Sequence, residues 1–498
     1  MINIFVFPFL ILNVLLVSRG MITPDNTPEH DFSTLPQWAQ DFIQPLTAQV
    51  HQLTSRVQEL EGQLAKNSSN SGKPPGSDGL SKPNKTNSLR GKSGKKPGGQ
   101  LGRNGSNLQP VQHPNTTRVH SPKTCISCQT SLENVTAINV HKRQVFDIPP
   151  VSVEVTEHQA EVKICPCCGK KNQGEFPEGV NAFTQYGERV KALGAYFLHQ
   201  HLIPFERVAQ IFEDLFGIPL SPGTCTNMDH RLYRNLESFE KSLKAHLLAS
   251  KVLHLDETGV RCDKKLHWIH VTSSETATLF RLHAKRGSEA INEIGLLPLY
   301  RGSIVHDHWH CYFSYKQVKH GLCNVHHLRE LKFVHEEEKS PWAKEMTDLL
   351  LKGKGIADNA RVEGKATAAN EDIALIEQGY DQLMLKAGHI YIDATQAEHP
   401  PDGVGKAGFN LYRRFLKKKN EVLYFMHDLA IPFSNNLAEQ DLRMEKVKQK
   451  ISGCFRTFVG GAISCRVRSY ISTARKQGWN IIEALAEAVA GSPRTVLH

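Results

Sequence analysis

The chain has 498 residues, 40% of them hydrophobic and 22% charged, proportions that suit several globular domains and exclude collagen-like, mucin-like and wholly disordered chains. The net charge is +10, and most of that excess lies between residues 66 and 103, where nine basic side chains (Lys66, Lys73, Lys82, Lys85, Arg90, Lys92, Lys95, Lys96 and Arg103) face a single acid, Asp78. A local polycation of this kind fits a polyanionic partner, nucleic acid before an anionic membrane, or else a linker that lysine keeps solvated.

The first segment, Met1–Val17, is apolar but is interrupted by Asn3, Pro8 and Asn13, and no basic residue precedes Arg19. A secretory signal carries its positive charge ahead of the apolar core, and a membrane span needs about 20 apolar residues. Met21 opens a polar segment, so the native start is expected there, with residues 1–20 a non-native leader and no membrane association. Four of the eleven cysteines form two Cys-x-x-Cys pairs, which suits a metal site in a reducing cytoplasm better than disulfides.

From Leu46 the apolar positions run Leu46, Val50, Leu53, Val57, Leu60 and Leu64, alternating steps of four and three, with Arg56, Glu59 and Glu61 off the seam. Such a heptad stripe predicts a short coiled coil within residues 21–66 and a homodimer or higher oligomer, or else one amphipathic helix docked on its own protein. Residues 67–110 then turn to Gly, Ser, Pro, Asn and Lys without periodicity and are expected to form an extended basic linker. Its Lys92, Lys95 and Lys96 are candidates for DNA contact.

Residues 111–180 open on Cys125-x-x-Cys128 and close on Cys165-x-x-Cys168, with alternating Val151, Val153, Val155 and Ala160, Val162, Ile164 predicting a hairpin between them. Two such knuckles can bring four thiolates onto one tetrahedral Zn²⁺ at about 2.3 Å per sulfur, a closed and therefore structural site. The alternative is four reduced cysteines packed as small hydrophobes. Cys167 is a spare thiol in the second knuckle. Residues 181–250 read as helices: Val208, Ile211, Phe212 and Leu215 share a face that stops at Gly217, and Ser221 with Pro222 starts the next helix. This pair matches a helix-turn-helix in outline, a shape that DNA-binding and purely structural hairpins share.

Residues 251–330 carry the acids. Val252–Thr258 is a predicted strand ending on Asp256; 268–272 and 278–283 are two more, 288–297 a helix, and 302–307 a fourth strand ending on Asp307. Three strands, a helix and a strand, with acids at the ends of the first and fourth, is the order of a ribonuclease H-like α/β core. Acids so placed suit hard divalent cations such as Mg²⁺, which takes oxygen ligands; two such ions can clamp the attacking and leaving oxygens of a phosphodiester. A third carboxylate is expected on a late helix within residues 431–455, and Glu439 supplies it. Ser434 is the expected N-cap there, and Arg443 and Lys446 share the face of Glu439, as cations for a DNA backbone. Taken singly, these acids and that helix would be ordinary surface features.

The chain resembles the insertion-sequence sixty-six type transposases, a branch of the Asp-Asp-Glu transposases. The marks are Lys66-Asn-Ser-Ser-Asn-Ser-Gly-Lys-Pro-Pro, Gly98-Gly-Gln-Leu-Gly, the two cysteine knuckles and Gln185-Tyr-Gly. Further along they are Leu255-Asp-Glu-Thr, Leu322-Cys-Asn-Val-His-His-Leu-Arg-Glu-Leu, Asn435-Asn-Leu-Ala-Glu and Val447-Lys-Gln-Lys-Ile-Ser-Gly, so the likeness runs from the heptad stripe to about residue 480. Gln440 stands where the family usually has Arg, and Cys454 where Gly is commoner.

The resemblance implies that Asp256, Asp307 and Glu439 form the catalytic, Mg²⁺- or Mn²⁺-binding triad and that residues 331–430 are a helical insertion; residues 456–498 are expected to form a helical tail. The resemblance also implies metal-dependent cleavage and strand transfer at terminal inverted repeats into target DNA without a covalent intermediate, with helper proteins from the same element as further partners. Two other readings compete. His308-Trp-His310 with Tyr312 or Tyr315 is the outline of a tyrosine nuclease, although His308, His310, His326 and His327 also suit site walls or core. The other is a non-catalytic zinc-ribbon DNA-binding protein, a decayed or domesticated transposase.

Overall fold

A computed structural model describes residues 36–66, 70, 108–391 and 405–496. The expected leader and nearly all of the basic linker, including Lys92, Lys95 and Lys96, lie outside the described residues. The first helix, α1 (Gln37–Ala65), carries the heptad positions, and Leu46, Val50, Leu53, Val57, Leu60 and Leu64 are all exposed.

Each cysteine knuckle closes a tight turn. Gln129 N–H donates to Cys125 O (3.0 Å) and Gly169 N–H to Cys165 O (2.9 Å). Gly169 has φ +70°, where a side chain would be strained. The strands of this unit differ from those expected. β1 (Val162–Ile164) pairs with β2 (Lys171–Gln173) across the second knuckle, whereas 151–155 forms no strand. The knuckle turn sets that register locally, so Ile164 faces Lys171 instead of the 151–155 segment upstream of it.

Four helices follow: α2 (Glu188–Ala195), running into a π turn at Tyr196–Gln200, α3 (Phe205–Phe216), α4 (Pro222–Asn235) and α5 (Glu237–Ala249). The caps are those the sequence predicts. Gly217 ends α3 in the left-handed region at φ +62°, and the Ser221 hydroxyl accepts from Thr224 N–H at the start of α4.

The central sheet contains β3 (Val252–Cys262), β4 (Lys265–Ser273), β5 (Thr278–His283), β6 (Ser303–His306) and β7 (Lys319–Leu322), in the order β5-β4-β3-β6-β7. The β3–β4–β5 part is antiparallel, and β6 and β7 run parallel to β3. Helix α6 (Ser288–Ile294) makes the crossover to β6 and ends at Gly295, φ +73°, a turn earlier than its apolar pattern implies. β3 runs four residues past Thr258 and turns through Asp263 and Lys264, both at positive φ, the two-residue geometry that matches strand twist.

Helices bury both faces of this sheet. Leu253, Leu255 and Ile304 pack with Phe239, Leu243 and Leu247 of α5 and Leu485 of α14 (Ile481–Ala490). On the other face, Val260, Ile269, Val271 and Phe280 meet Ala438 and Leu442 of α12 (Asn436–Ser452). The edge strand β5 is covered by α13 (Phe458–Lys476): Ser469 and Thr473 hydroxyls accept from Phe280 N–H (2.8 Å) and Thr278 N–H (3.1 Å). Those side chains satisfy an edge that would otherwise recruit another strand.

Among the described residues between β7 and α12 stand five helices, α7 (Asn324–Glu336), α8 (Pro341–Val362), α9 (Asn370–Ile390), α10 (Lys406–Lys417) and α11 (Lys419–His427). They share a core around Trp342, Tyr380, Phe409, Phe415 and Phe425 that also takes in Val305 of β6 and Leu322 of β7. The helical layer is thereby seated beside the strand that leads to Asp307.

Candidate active site

Strand alternation decides which side of β3 each acid serves. His254 and Asp256 lie on the α12 side and Glu257 on the other. Asp307 follows β6 directly, and Glu439 sits in the first turn of α12. Asp307 and Glu439 are both close enough to act on Asp256, although among the described residues the three do not form one group of donor atoms within 4.8 Å. Burial pushes the Asp256 carboxyl well above the usual carboxylate range, and the charges of Glu257, Asp307 and Glu439 push it further. A carboxylate so disfavoured is stabilised by a bound cation.

Asn435 joins the site to the sheet. Its Oδ1 is 3.0 Å from His254 Nδ1, its Nδ2 donates to Leu255 O (2.7 Å), and its backbone N–H points at Cys323 Sγ (3.1 Å). It is the residue flanking α12, with no side-chain cap bond. The expected cap, Ser434, therefore does not serve; the Asn435 side chain is committed across the core instead. Its backbone O still accepts from Glu439 N–H (3.2 Å), which ties the position of Glu439 to that of β3.

Asp307 is held by Trp309 N–H, which donates to Oδ1 at 2.9 Å. Glu257 is almost fully buried; it takes Arg286 at 2.6 Å and the Tyr312 hydroxyl at 2.6 Å. Arg286 stacks between Trp268 (4.9 Å) and Trp309 (4.4 Å). Burial and Asp307 raise the Glu257 carboxyl, while Tyr312 and Arg286 oppose them. Neither Glu257 nor Arg286 is among the candidates drawn from the sequence; the side-to-side alternation along β3 marks out Glu257, whereas Arg286 reaches it from 29 residues away and carries no local signal.

Glu439 has two further neighbours. Cys323 Sγ is 3.8 Å and His326 Nδ1 3.7 Å from its Oε1. Cys323, His326 and Glu439 offer donor atoms within 4.8 Å of one another, a group able to hold a metal ion. Burial would depress His326, but the Cys323 thiol and the Glu439 charge outweigh it and raise its pKa to about 9. His327 is core, its Nδ1 3.0 Å from Asn324 Oδ1. Of the two expected DNA-facing cations, Arg443 is exposed, whereas Lys446 is half-buried with its ammonium 3.5 Å from Gly259 O. Burial lowers the Lys446 pKa and the nearby Asp256 acts against that.

The tyrosine-nuclease outline finds no geometry. The buried Tyr312 hydroxyl donates to Glu257, the Tyr315 hydroxyl donates to Asn292 Oδ1 (2.7 Å), and among the described residues His308 and His310 belong to no group of metal-donor atoms. Burial and Glu257 push the Tyr312 phenol up, away from phenolate.

In the knuckles, Cys125, Cys128, Cys165 and Cys168 are all exposed or half-buried thiols on turns. Hydrogen bonding from Thr130 lowers Cys128 to about 7, and backbone hydrogen bonds at Cys168 and Cys167 lower Cys165. Among the described residues the four sulfurs do not form one group of donor atoms, so the structure places two thiol pairs on tight turns without closing them on a common metal; the lowered Cys128 and Cys165 are of the kind that zinc takes.

Three family profiles match the chain. The profile described as the zinc-finger binding domain of transposase IS66 matches residues 122–169, and a family of unknown function (DUF6444) matches 27–109. No curated protein matches the chain. The profile of the transposase IS66 family matches residues 184–463, more than half of the chain and all of the sheet and its acids. The chain therefore belongs to the IS66 transposase family and carries that family's zinc-finger domain.

Proposed function

We propose that the protein cuts the ends of its own mobile element and joins them to target DNA, with Asp256, Asp307 and Glu439 as the metal-binding triad. What supports this is that Asp307, from the end of β6, and Glu439, from the first turn of α12, both add their charge against the buried Asp256 carboxyl of β3, which disfavours ionised Asp256 in the absence of a cation. The strand order β5-β4-β3-β6-β7 with two parallel partners on one side of β3 supports a ribonuclease H-like reading of this core.

All-oxygen ligands fit Mg²⁺ or Mn²⁺, which would supply Lewis acidity at the scissile phosphate. The chain's own residues hold that arrangement. Asn435 locks α12 to β3, Trp309 N–H orients Asp307, and Arg286 offsets the Glu257 charge so that the cluster is not over-repelled. Water attacks the phosphodiester at an element end, the P–O bond breaks and a 3′-hydroxyl is freed. That hydroxyl then attacks a target phosphodiester in line. No side chain becomes covalently attached, which agrees with the burial of Tyr312.

The zinc unit, the α3–α4 hairpin, the basic linker with Lys92, Lys95 and Lys96, and Arg443 and Lys446 are assigned to DNA. The exposed α1 stripe is assigned to pairing of two copies, helper proteins of the same element to assembly, and the cytoplasm as the place of action. Among the described residues, no helix is long and apolar enough to cross a membrane. Calorimetric titration with Mn²⁺ tests the site without DNA: each of Asp256→Asn, Asp307→Asn and Glu439→Gln is expected to weaken binding, and wild-type affinity in all three variants would refute the assignment.

A further inference from the structure

Outside the acid cluster, the helical layer presents a cleft of about 350 Å³ lined by His308, Asn410, Arg413, Arg414, Lys417 and Lys418. Five of these six come from α10 and the residue after it; the sixth is the residue next to Asp307. Asn410, Arg413 and Lys417 recur at helical spacing, so they share one face of α10. Arg413 and Lys417 are about 6 Å apart along the axis, the scale of successive phosphates on a DNA strand.

The cations of this cleft fall into two pairs. Arg414 is held by Glu330 of α7 (2.7 Å), and Lys418 by Glu421 (2.8 Å) with its ammonium 3.9 Å from the Phe313 ring centre. Arg413 and Lys417 have no carboxylate partner among the described residues. Arg413 lies only over the Phe409 ring, at 5.6 Å. The cleft lining includes no acid, and nothing within it balances the unpaired charges. His308 Nδ1, in the residue that closes the cleft, is buried and has no hydrogen-bond partner among the described residues.

Four cations, an amide and an imidazole, with no Phe, Tyr or Trp in the lining, fit phosphate oxygens better than a nucleobase. We propose that this cleft seats the phosphodiester backbone of DNA beside the scissile position, with Arg413 and Lys417 contacting two phosphates. This placement rests on the reading of Asp307 as part of the cutting site. The helical layer then serves as the second wall of the DNA channel, seated on β6 and β7 by its own core. The motif reading of the sequence did not select these residues, since Arg-Arg-Phe-Leu-Lys-Lys resembles any solvated helix end.

The test is metal-free binding of full-length protein to a fluorescein-labelled 40-base-pair duplex of arbitrary sequence, in EDTA, over a range of KCl concentrations. Each lost phosphate contact reduces the slope of log K against log[salt] by about 0.9. The double variant Arg413→Ala/Lys417→Ala is expected to reduce the slope by nearly two and to weaken binding at every salt concentration. A charge-matched control elsewhere in the layer, Lys352→Ala/Lys386→Ala, is expected to leave the slope unchanged. The charge-retaining variant Arg413→Lys/Lys417→Arg is expected to keep the wild-type slope, which separates a charge contact from a folding defect. An unchanged slope in Arg413→Ala/Lys417→Ala, or an equal loss in the charge-retaining variant, overturns the proposal. Because no cleavage is scored, failure of the metal-triad reading would appear separately, as wild-type binding without cutting.

Discussion

Replacing Asn435 by Ala tests the link between the sheet and the helix that carries Glu439. The Asn435 side chain is buried, with Oδ1 3.0 Å from His254 Nδ1 and Nδ2 2.7 Å from Leu255 O. Truncation leaves the His254 ring nitrogen, itself buried, without this partner and removes one donor from a buried carbonyl. Each orphaned buried group costs about 1–3 kcal/mol, so the variant should lose about 2–4 kcal/mol, a large part of a typical domain's stability of about 5–15 kcal/mol. Urea unfolding followed by tryptophan fluorescence reads that loss as a lower midpoint with an unchanged slope. Where both proteins are folded, end cleavage should still fall, by roughly tenfold or more, because a shift of about 1 Å at reacting groups can cost about a hundredfold and Glu439 N–H is bonded to Asn435 O. A midpoint within about 0.5 kcal/mol of wild type, or full cleavage by folded variant, would refute the reasoning.

Three further outcomes follow from the same geometry. Burial lowers His254 and His270 to about 4, below the unfolded value near 6.5, so the unfolded chain gains protons first. Their share of the stability should be complete above pH 6.5 and fall by up to about 3 kcal/mol per histidine as pH drops from 6.5 to 4, against the opposite change from the raised Asp256 and Glu257 carboxyls; a His270→Gln variant whose urea midpoint varies with pH over that window just as the wild type does would contradict it. Arg286→Ala strands the buried Glu257 carboxylate beside Asp307 and should cost about 2–3 kcal/mol, less than the 3–5 of a fully buried pair because Arg286 is part-exposed, and adding Glu257→Gln should recover much of it in a double-mutant cycle. Cys125→Ser with Cys165→Ser should abolish bound zinc by elemental analysis and weaken DNA binding, while the urea midpoint of the catalytic sheet stays at the wild-type value.

What the sequence disclosed was local. Asp256 and Asp307 stood out because each ends an apolar run. Gly217 and Ser221 marked helix ends because αL glycine and a hydroxyl cap act within one turn. The missed features depend on distant partners. β7 is Lys-His-Gly-Leu, too short and polar to predict, and it becomes a strand only beside β6, where a Cβ on Gly321 would come within 2.8 Å of Ile431. Asn435 looked like part of a helix start; its role lies in a contact 181 residues away. The alternating valines at 151–155 carried a strand pattern with no partner, since the knuckle at Gly169 paired Val162–Ile164 with Lys171–Gln173 instead. Cys323 and His326 sit one turn apart on the sequence, but Glu439 reaches them only through the packing of α12.

The central claim is that three carboxylates cut DNA with a divalent ion and no covalent intermediate. Its most direct test is cleavage of a duplex carrying the element's terminal repeat, by full-length protein with Mg²⁺, beside Asp256→Ala, Asp307→Ala and Glu439→Gln, with products checked for free 3′-hydroxyls and attached protein. The account predicts metal-dependent nicking with free 3′-hydroxyls and no protein–DNA adduct, lost in all three variants while DNA binding persists. Cutting that survives any of the three substitutions, a phosphotyrosine adduct, or binding without cutting even when the element's helper proteins are present would contradict it.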